Sequence, residues 1–274
     1  TAVGQTAVVD GQRYDQGHGV LAEEPGSRFS RGRGRGNLYV LVEVSGLARG
    51  SELIADRLAQ SIRDVYYRQR GSITAALRQA IQEANNLLHE ENRRSMPDQQ
   101  RVGGVSCAVL RNTDLFIAQA GPAALFVRHD EGVTRFPDSS PWLGGTQPAE
   151  TDAAPLGRRV DIHVDLFHTE VSKDNLIVLV DSNLARGLTS EVAPHILAGS
   201  SIAAILSRLA AMDEGHDVLA LAVSVGHAGT KERAMPAPVP VRRSEPEAAT
   251  VVPPKPDTTQ KERVPLRERL RSAG

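Results

Sequence analysis

The stretch Lys173–Leu188, KDNLIVLVDSNLARGL, decides how the rest of the chain is read. Its apolar run Leu176–Val180 is short and continuous, the pattern of a strand buried on both faces. The run ends on a carboxylate, Asp181, at a Ser182-Asn183 turn, and a helical-looking tail follows. A buried strand that delivers an acid to a tight turn can place a metal ligand or a catalytic acid. The partners that Asp181 retains therefore determine what chemistry this protein can perform.

At 274 residues the chain can bury a real core, as one large domain or two small ones. Lys and Arg total 32 against 33 acidic residues, so overall charge points to neither nucleic acid nor an anionic membrane surface. The single cysteine, Cys107, excludes a disulfide framework and a four-thiolate zinc site, and fits a reducing, cytoplasmic compartment. In mid-strand it reads as a small buried apolar residue rather than a nucleophile. No apolar run approaches the ~18 residues that span a bilayer, and no signal-peptide pattern opens the chain. The chain begins on Thr1 rather than methionine, which reads as a cytosolic piece of something longer.

Outward from the central stretch, Asn37–Val44 (NLYVLVEV) predicts a second buried strand. Residues 1–26 predict a strand pair, and Ser27–Gly36 (SRFSRGRGRG) a Gly- and Arg-rich connection. That connection reads as a solvated loop rather than a phosphate or RNA contact, because aromatic residues are almost absent from it. Helical spacing of Leu53, Ile54, Leu58, Ile62, Val65 and Tyr66 predicts a helix over 51–69, with Ser51 as N-cap. A second helix follows over 72–94, opened by a serine. Short strands are expected at 104–110, 115–120, 123–129 and 133–136. Asn112-Thr113, Gly121-Pro122 and Asp130-Glu131-Gly132 read as hairpin turns that join them into an antiparallel meander. Residues 160–167 predict a half-exposed strand, Thr189-Ser190-Glu191 and Ser200 or Ser201 two helix starts, and Val218–Val225 the last buried strand. Pro137–Pro155 reads as a loop and carries the one tryptophan, Trp142. From 227 onward the chain is Pro-rich and charged, a linker or tail that could precede a membrane span or another domain. The expected organisation is a folded domain over 1–226 and a disordered tail over 227–274.

Several stretches, in this order, resemble the metal-dependent protein phosphatases of the 2C (PPM) type. Val3-Gly4-Gln5 with Arg13 is similar to the family's opening strand and phosphate-binding arginine. Tyr39–Gly46 (YVLVEVSG) resembles the strand that ends in Asp-Gly, and Ala75–Leu88 (AALRQAIQEANNLL) the family's second helix. Gly103-Gly104-Val105-Ser106, Ala118–Phe126, Asp138-Ser139-Ser140, Pro155-Leu156-Gly157, Lys173–Leu188 and Met212–Val225 follow in the family's order. The resemblance covers roughly residues 3–226 and implies an α+β fold: a four-layer αββα sandwich of two mostly antiparallel sheets flanked by helix pairs. It also implies two hard cations, Mg²⁺ or Mn²⁺, held by aspartates, with a metal-bound water attacking a phosphoserine or phosphothreonine.

The departures fall on those aspartates. The resemblance places His18, Ser45 and Pro122 where the family carries Asp, with Gly46 retained after Ser45. Asp181 remains, followed by Ser182 in place of glycine. In the closing motif His216 stands for the metal aspartate, followed by Asp217. Glu43 lies two residues before Ser45 on the same strand face, one pleat repeat away. The chain therefore reads as a divergent member with a degenerate metal site, a pseudophosphatase that binds a protein or phosphoprotein in bacterial signalling. No cofactor and no specific nucleic acid are expected. Two alternatives stay open. In one, Asp10, Asp15 or Asp56 supplies the missing charge and the protein is an active serine/threonine phosphatase. In the other, His18, His216 and Asp181 form a single site for Zn²⁺, Fe²⁺ or Mn²⁺.

Overall fold

The computed structural model describes residues 1–25, 33–46, 50–142 and 154–226. These lie in one compact unit, Thr1–Glu232; the expected tail over 227–274 falls outside the described residues. In chain order the strands are β1 (Ala2–Val9), β2 (Gln12–Tyr14), β3 (Val20–Glu23), β4 (Asn37–Ser45), β5 (Val102–Arg111), β6 (Asp114–Ala120), β7 (Ala124–His129), β8 (Gly132–Phe136), β9 (Asp165–Glu170), β10 (Leu176–Val180) and β11 (Val218–Ser224). The helices are α1 (Ser51–Arg68), α2 (Ile73–Arg94), α3 (Ser182–Gly187), α4 (Ala193–Ile196) and α5 (Ile202–Ala210).

The strands form two antiparallel sheets, ordered β2-β1-β11-β10-β7-β8 and β3-β4-β5-β6-β9. Side-chain alternation divides the core into three layers of contact. Leu38, Val40 and Val42 of β4 pack with α1 and α2, as do Cys107 and Val109 of β5. Tyr39 and Leu41 turn the other way and meet Ile177 and Leu179 of β10 and Leu221 and Val223 of β11 between the sheets. Val178 and Val180 face α3, α4 and α5 on the far side. Helices, sheet, sheet and helices give the four-layer αββα sandwich that the family resemblance implied. Cys107 is fully buried, and burial pushes its thiol well above the usual range, so it acts as a small hydrophobe.

Local chemistry explains several departures from the sequence reading. The N-terminal segment forms three strands rather than a pair, because β3 leaves β1 and β2 and pairs with β4 in the other sheet. Gly121-Pro122 is no hairpin: β6 and β7 belong to different sheets, so this dipeptide carries the chain across the sandwich. The crossing is tight. A Cβ on Gly104 would lie 2.4 Å from the Pro122 carbonyl oxygen, and Gly121 sits at φ +71° against the Gly103 carbonyl. The two-residue turns Asn112-Thr113 and Asp130-Glu131 do close hairpins, with Arg111 opposite Asp114 and His129 opposite Gly132.

The strand expected at 160–167 begins only at Asp165. The preceding backbone is held by α2 instead: Asn85 Nδ2 donates to the Arg159 and Val160 carbonyls at 2.9 and 2.8 Å, and its Oδ1 accepts from Gly157 N–H at 2.9 Å. A buried amide satisfies the backbone groups that a sheet partner would otherwise take. Ser72 and Ser201 cap α2 and α5 through their hydroxyls, whereas α1 is capped by the backbone of Gly50 at φ +84°, not by Ser51. Leu53 is off the buried stripe of α1 and is 70% exposed. The later part of the Gly/Arg segment is structural: Arg35 donates to the Gly71 and Tyr66 carbonyls at 2.7 and 3.1 Å, closing the end of α1. Residues 26–32 lie outside the described residues.

Leu179 is fully buried between the sheets, as its strand run predicts, whereas Leu53, which helical spacing places inward, is exposed. Leu179→Ala is expected to lower unfolding free energy by about 2–5 kcal/mol, and Leu53→Ala to stay within about 0.5 kcal/mol of the parent. Urea unfolding of the two variants checks both.

Candidate functional site

The inter-sheet faces of β4 and β10 change character at the same end of the sandwich. On β4 the row runs Tyr39, Leu41, Glu43, Ser45; on β10 it runs Ile177, Leu179 and then Asp181 just past the strand. There the sheets enclose a cleft of about 660 Å³. His18, Ser45, Gly46, Asp181, His216 and Asp217 all line it, so the structure brings six of the sequence candidates together.

The remaining candidates lie elsewhere. Arg13 does not line the cleft; it sits on the edge strand β2 with Nη1 donating to Ser207 Oγ of α5 at 3.0 Å. Pro122 is at the sheet crossing. Asp10, Asp15 and Asp56 do not line the cleft either. Asp10 occupies the β1–β2 turn at φ +51° and gives its N–H to Asp217 Oδ1 at 2.9 Å. Asp56, on α1, accepts from Gly19 N–H at 2.7 Å and lies 2.6 Å from His18 Nδ1. That hydrogen bond raises the His18 pKa, against the opposing effect of burial.

Glu43 also lines the cleft, a position the sequence reading set aside. Its Oε2 accepts from Ser182 N–H at 2.6 Å, tying β4 of one sheet to the start of α3 beyond the other. Asp181 is 6% exposed and caps α3, with Oδ1 accepting from Leu184 N–H at 2.9 Å, while its own N–H donates to the Leu219 carbonyl at 3.0 Å. Burial, and then the neighbouring Asp181 charge, push the Glu43 carboxyl up to about 8. Burial pushes Asp181 up to about 7, against its backbone hydrogen bonds and the Arg186 cation. The signal for Glu43 was its phase: it follows Tyr39 and Leu41 at the strand period of two.

The donor set does not fit a pair of hard cations. Such ions need several carboxylate or carbonyl oxygens aimed at one point. Here Asp181 spends an oxygen on α3, Glu43 on Ser182, Asp217 on Asp10 N–H, and His18 turns to Asp56. Among the described residues no three His, Cys, Asp or Glu side chains gather into a metal-binding group. What the cleft does contain is a mixed wall of paired carboxyls, imidazoles, Ser45 and the Arg186 guanidinium, suited to holding polar groups of a ligand.

The carboxyl pair has a pH signature. Both folded-state pKa values lie above the ordinary carboxyl range, so between about pH 4 and 8 the folded protein binds more protons than the unfolded chain. This stabilisation is complete below the unfolded pKa values of about 4, is lost progressively as pH rises from there through the folded values of about 7 and 8, and is gone above them. Glu43→Gln keeps an acceptor for Ser182 N–H and removes the charge. It is expected to flatten the decline in urea midpoint across this range and to exceed the parent in stability at the alkaline end.

No protein-family model matches this sequence, and no curated protein sequence matches it. Solved structures do match its fold. The serine/threonine phosphatase PstP/Ppp of Mycobacterium tuberculosis superimposes with a TM-score of 0.61 at 12% identity, covering 83% of this chain and 100% of that one. A structure of the PstP catalytic domain with two manganese ions gives 0.57 at 13% identity, covering 82% and 100%. The serine/threonine phosphatase Stp1 of Staphylococcus aureus gives 0.62 at 12% identity, with 83% and 96% covered. PppA, a regulatory component of the type VI secretion system (T6SS) of Pseudomonas aeruginosa, gives 0.55 at 13% identity, with 81% and 97% covered. With the strand order and the three-layered core, these likenesses establish that the chain has the fold of the 2C-type metal-dependent protein phosphatases.

Proposed function

We propose that this protein is a non-catalytic module of the phosphatase 2C fold that acts in signalling by binding a protein or phosphoprotein partner. The observation that carries this reading is the state of the cleft's acids. Each of Glu43, Asp181 and Asp217 accepts a backbone N–H of the chain itself, and His18 pairs with Asp56. Acids committed to capping and to joining the sheets are poor ligands for two Mg²⁺ or Mn²⁺ ions, whose binding needs uncommitted, clustered negative charge. Burial adds to this, because carboxyls with raised pKa values carry less charge at neutral pH. The cleft keeps its volume and its polar lining, so recognition survives where hydrolysis would lack its metal-bound nucleophile.

The likeness to PppA, described as a regulatory component, fits a regulatory role for this chain. Among the described residues no helix is long and apolar enough to cross a membrane. The competing reading, an active metal-dependent serine/threonine phosphatase, draws on the presence of Glu43 and Asp181 in one cleft and on the manganese-bound neighbour.

Hydrolysis of p-nitrophenyl phosphate with excess Mn²⁺ or Mg²⁺ separates the two. Turnover no higher than in the metal-only blank is expected. Metal-dependent turnover that disappears in Asp181→Asn establishes the active phosphatase instead. Metal analysis of protein purified without chelator addresses a His18/His216/Asp181 site. Far less than one equivalent of metal is expected, whereas a full equivalent lost in His18→Ala/His216→Ala supports that site.

A further inference from the structure

Beside the main cleft, at the same end of the sandwich, lies a smaller pocket of about 50 Å³. Gln119 and Asp165 line it and belong to a polar row across three strands. Ser106 of β5 faces Gln119 of β6, and Gln119 faces Asp165 of β9, so all three side chains lie on the inter-sheet face as direct cross-strand neighbours. Gln119 is 1% exposed. Its Nε2 donates to Ser106 Oγ at 2.8 Å, which turns the amide oxygen away from Ser106. That Oε1 is buried and has no hydrogen-bond partner among the described residues. Asp165 sits at the mouth with its side chain half exposed, 3.1 Å from His163 Nε2. Pro137, Pro141 and Trp142 add apolar and aromatic surface to the lining, beside the hydroxyl residues Ser139 and Ser140.

These groups select a ligand by chemistry. A buried amide oxygen without a partner costs free energy that a donor recovers. A carboxylate beside it disfavours anions and further acceptors and favours a cation. The indole face attracts a cation at short range, and proline rings pack against methylenes. The volume admits a small head group and not a ring system. We infer that this pocket receives the alkylammonium tip of a lysine side chain presented by a protein partner, with the ammonium reaching Gln119 past Asp165 and the methylenes against Trp142 and the prolines. The site stands apart from the main cleft and does not depend on whether that cleft hydrolyses phosphate.

Trp142 is the only tryptophan in the chain, so its indole N–H gives one assignable proton resonance. Titrating the full chain with n-butylammonium at constant ionic strength is expected to shift that resonance saturably, with a dissociation constant on the order of millimolar for so small a probe. Asp165→Asn, a change at a half-exposed position, is expected to weaken binding by about tenfold, as is Gln119→Leu. The isosteric alcohol n-butanol and the anion butyrate are expected to give no saturable shift. No saturable response to n-butylammonium, an equal response to n-butanol, or an unchanged constant in Asp165→Asn overturns the proposal; the last outcome holds even if Gln119→Leu fails to fold.

Discussion

Everything in this molecule depends on two sheets burying their facing sides against each other. Tyr39 and Leu41 on one sheet and Ile177, Leu179, Leu221 and Val223 on the other form a buried apolar seam that neither sheet could leave exposed. Because side chains alternate strictly along a strand, each seam row must continue in phase until the strand ends. At one end of the sandwich the rows turn polar together: Leu41 gives way to Glu43, Leu179 to Asp181, Ile117 to Gln119. The main cleft and the small pocket beside it are both consequences of that single change. They are where the seam stops being apolar while the sheets are still close.

Polar groups in such a place must find partners. Glu43 and Asp181 find theirs in backbone N–H groups at the start of α3, which serves cohesion as much as chemistry. The Glu43–Ser182 hydrogen bond ties the end of β4 to a helix on the far side of the other sheet. Burial, joined for Glu43 by the neighbouring Asp181 charge, favours the neutral forms of the two acids, which eases the repulsion between carboxyls held this close at the polar end of the seam.

The connections between layers rest on close backbone approach and on buried amides rather than on hydrophobic area. Gly104 and Gly121 let the chain pass from β6 to β7 against β5, where a side chain on either would strike a carbonyl oxygen. Asn92 Nδ2 donates to the Gly157 carbonyl at 3.0 Å and its Oδ1 accepts from Arg101 N–H at 2.8 Å, so with Asn85 it fastens the segment before β9 to α2. These contacts hold the chain up to Val160, whose carbonyl accepts from Asn85, so the strand expected from 160 begins only at Asp165.

Periodicity and turn chemistry in the sequence were enough for the central strands, the two long helices, the serine caps of α2 and α5 and the hairpins at Asn112-Thr113 and Asp130-Glu131, because those features depend on neighbours a few residues away. The order of weak motifs was enough for the sandwich itself and for the meeting of His18, Ser45, Asp181 and His216 in one cleft. The tertiary structure alone decided which β4 side chain meets Asp181. Glu43 and Ser45 share a strand face, so their spacing cannot say which one meets Asp181; the position of α3 across the seam does. It also decided that Gly121-Pro122 crosses between sheets, that Arg13 faces Ser207 rather than the cleft, and that Leu53 stays in water. Spacing along a strand or helix sets the face on which a side chain lies. What that face meets is set by chain segments far away in sequence, and only folding brings them there.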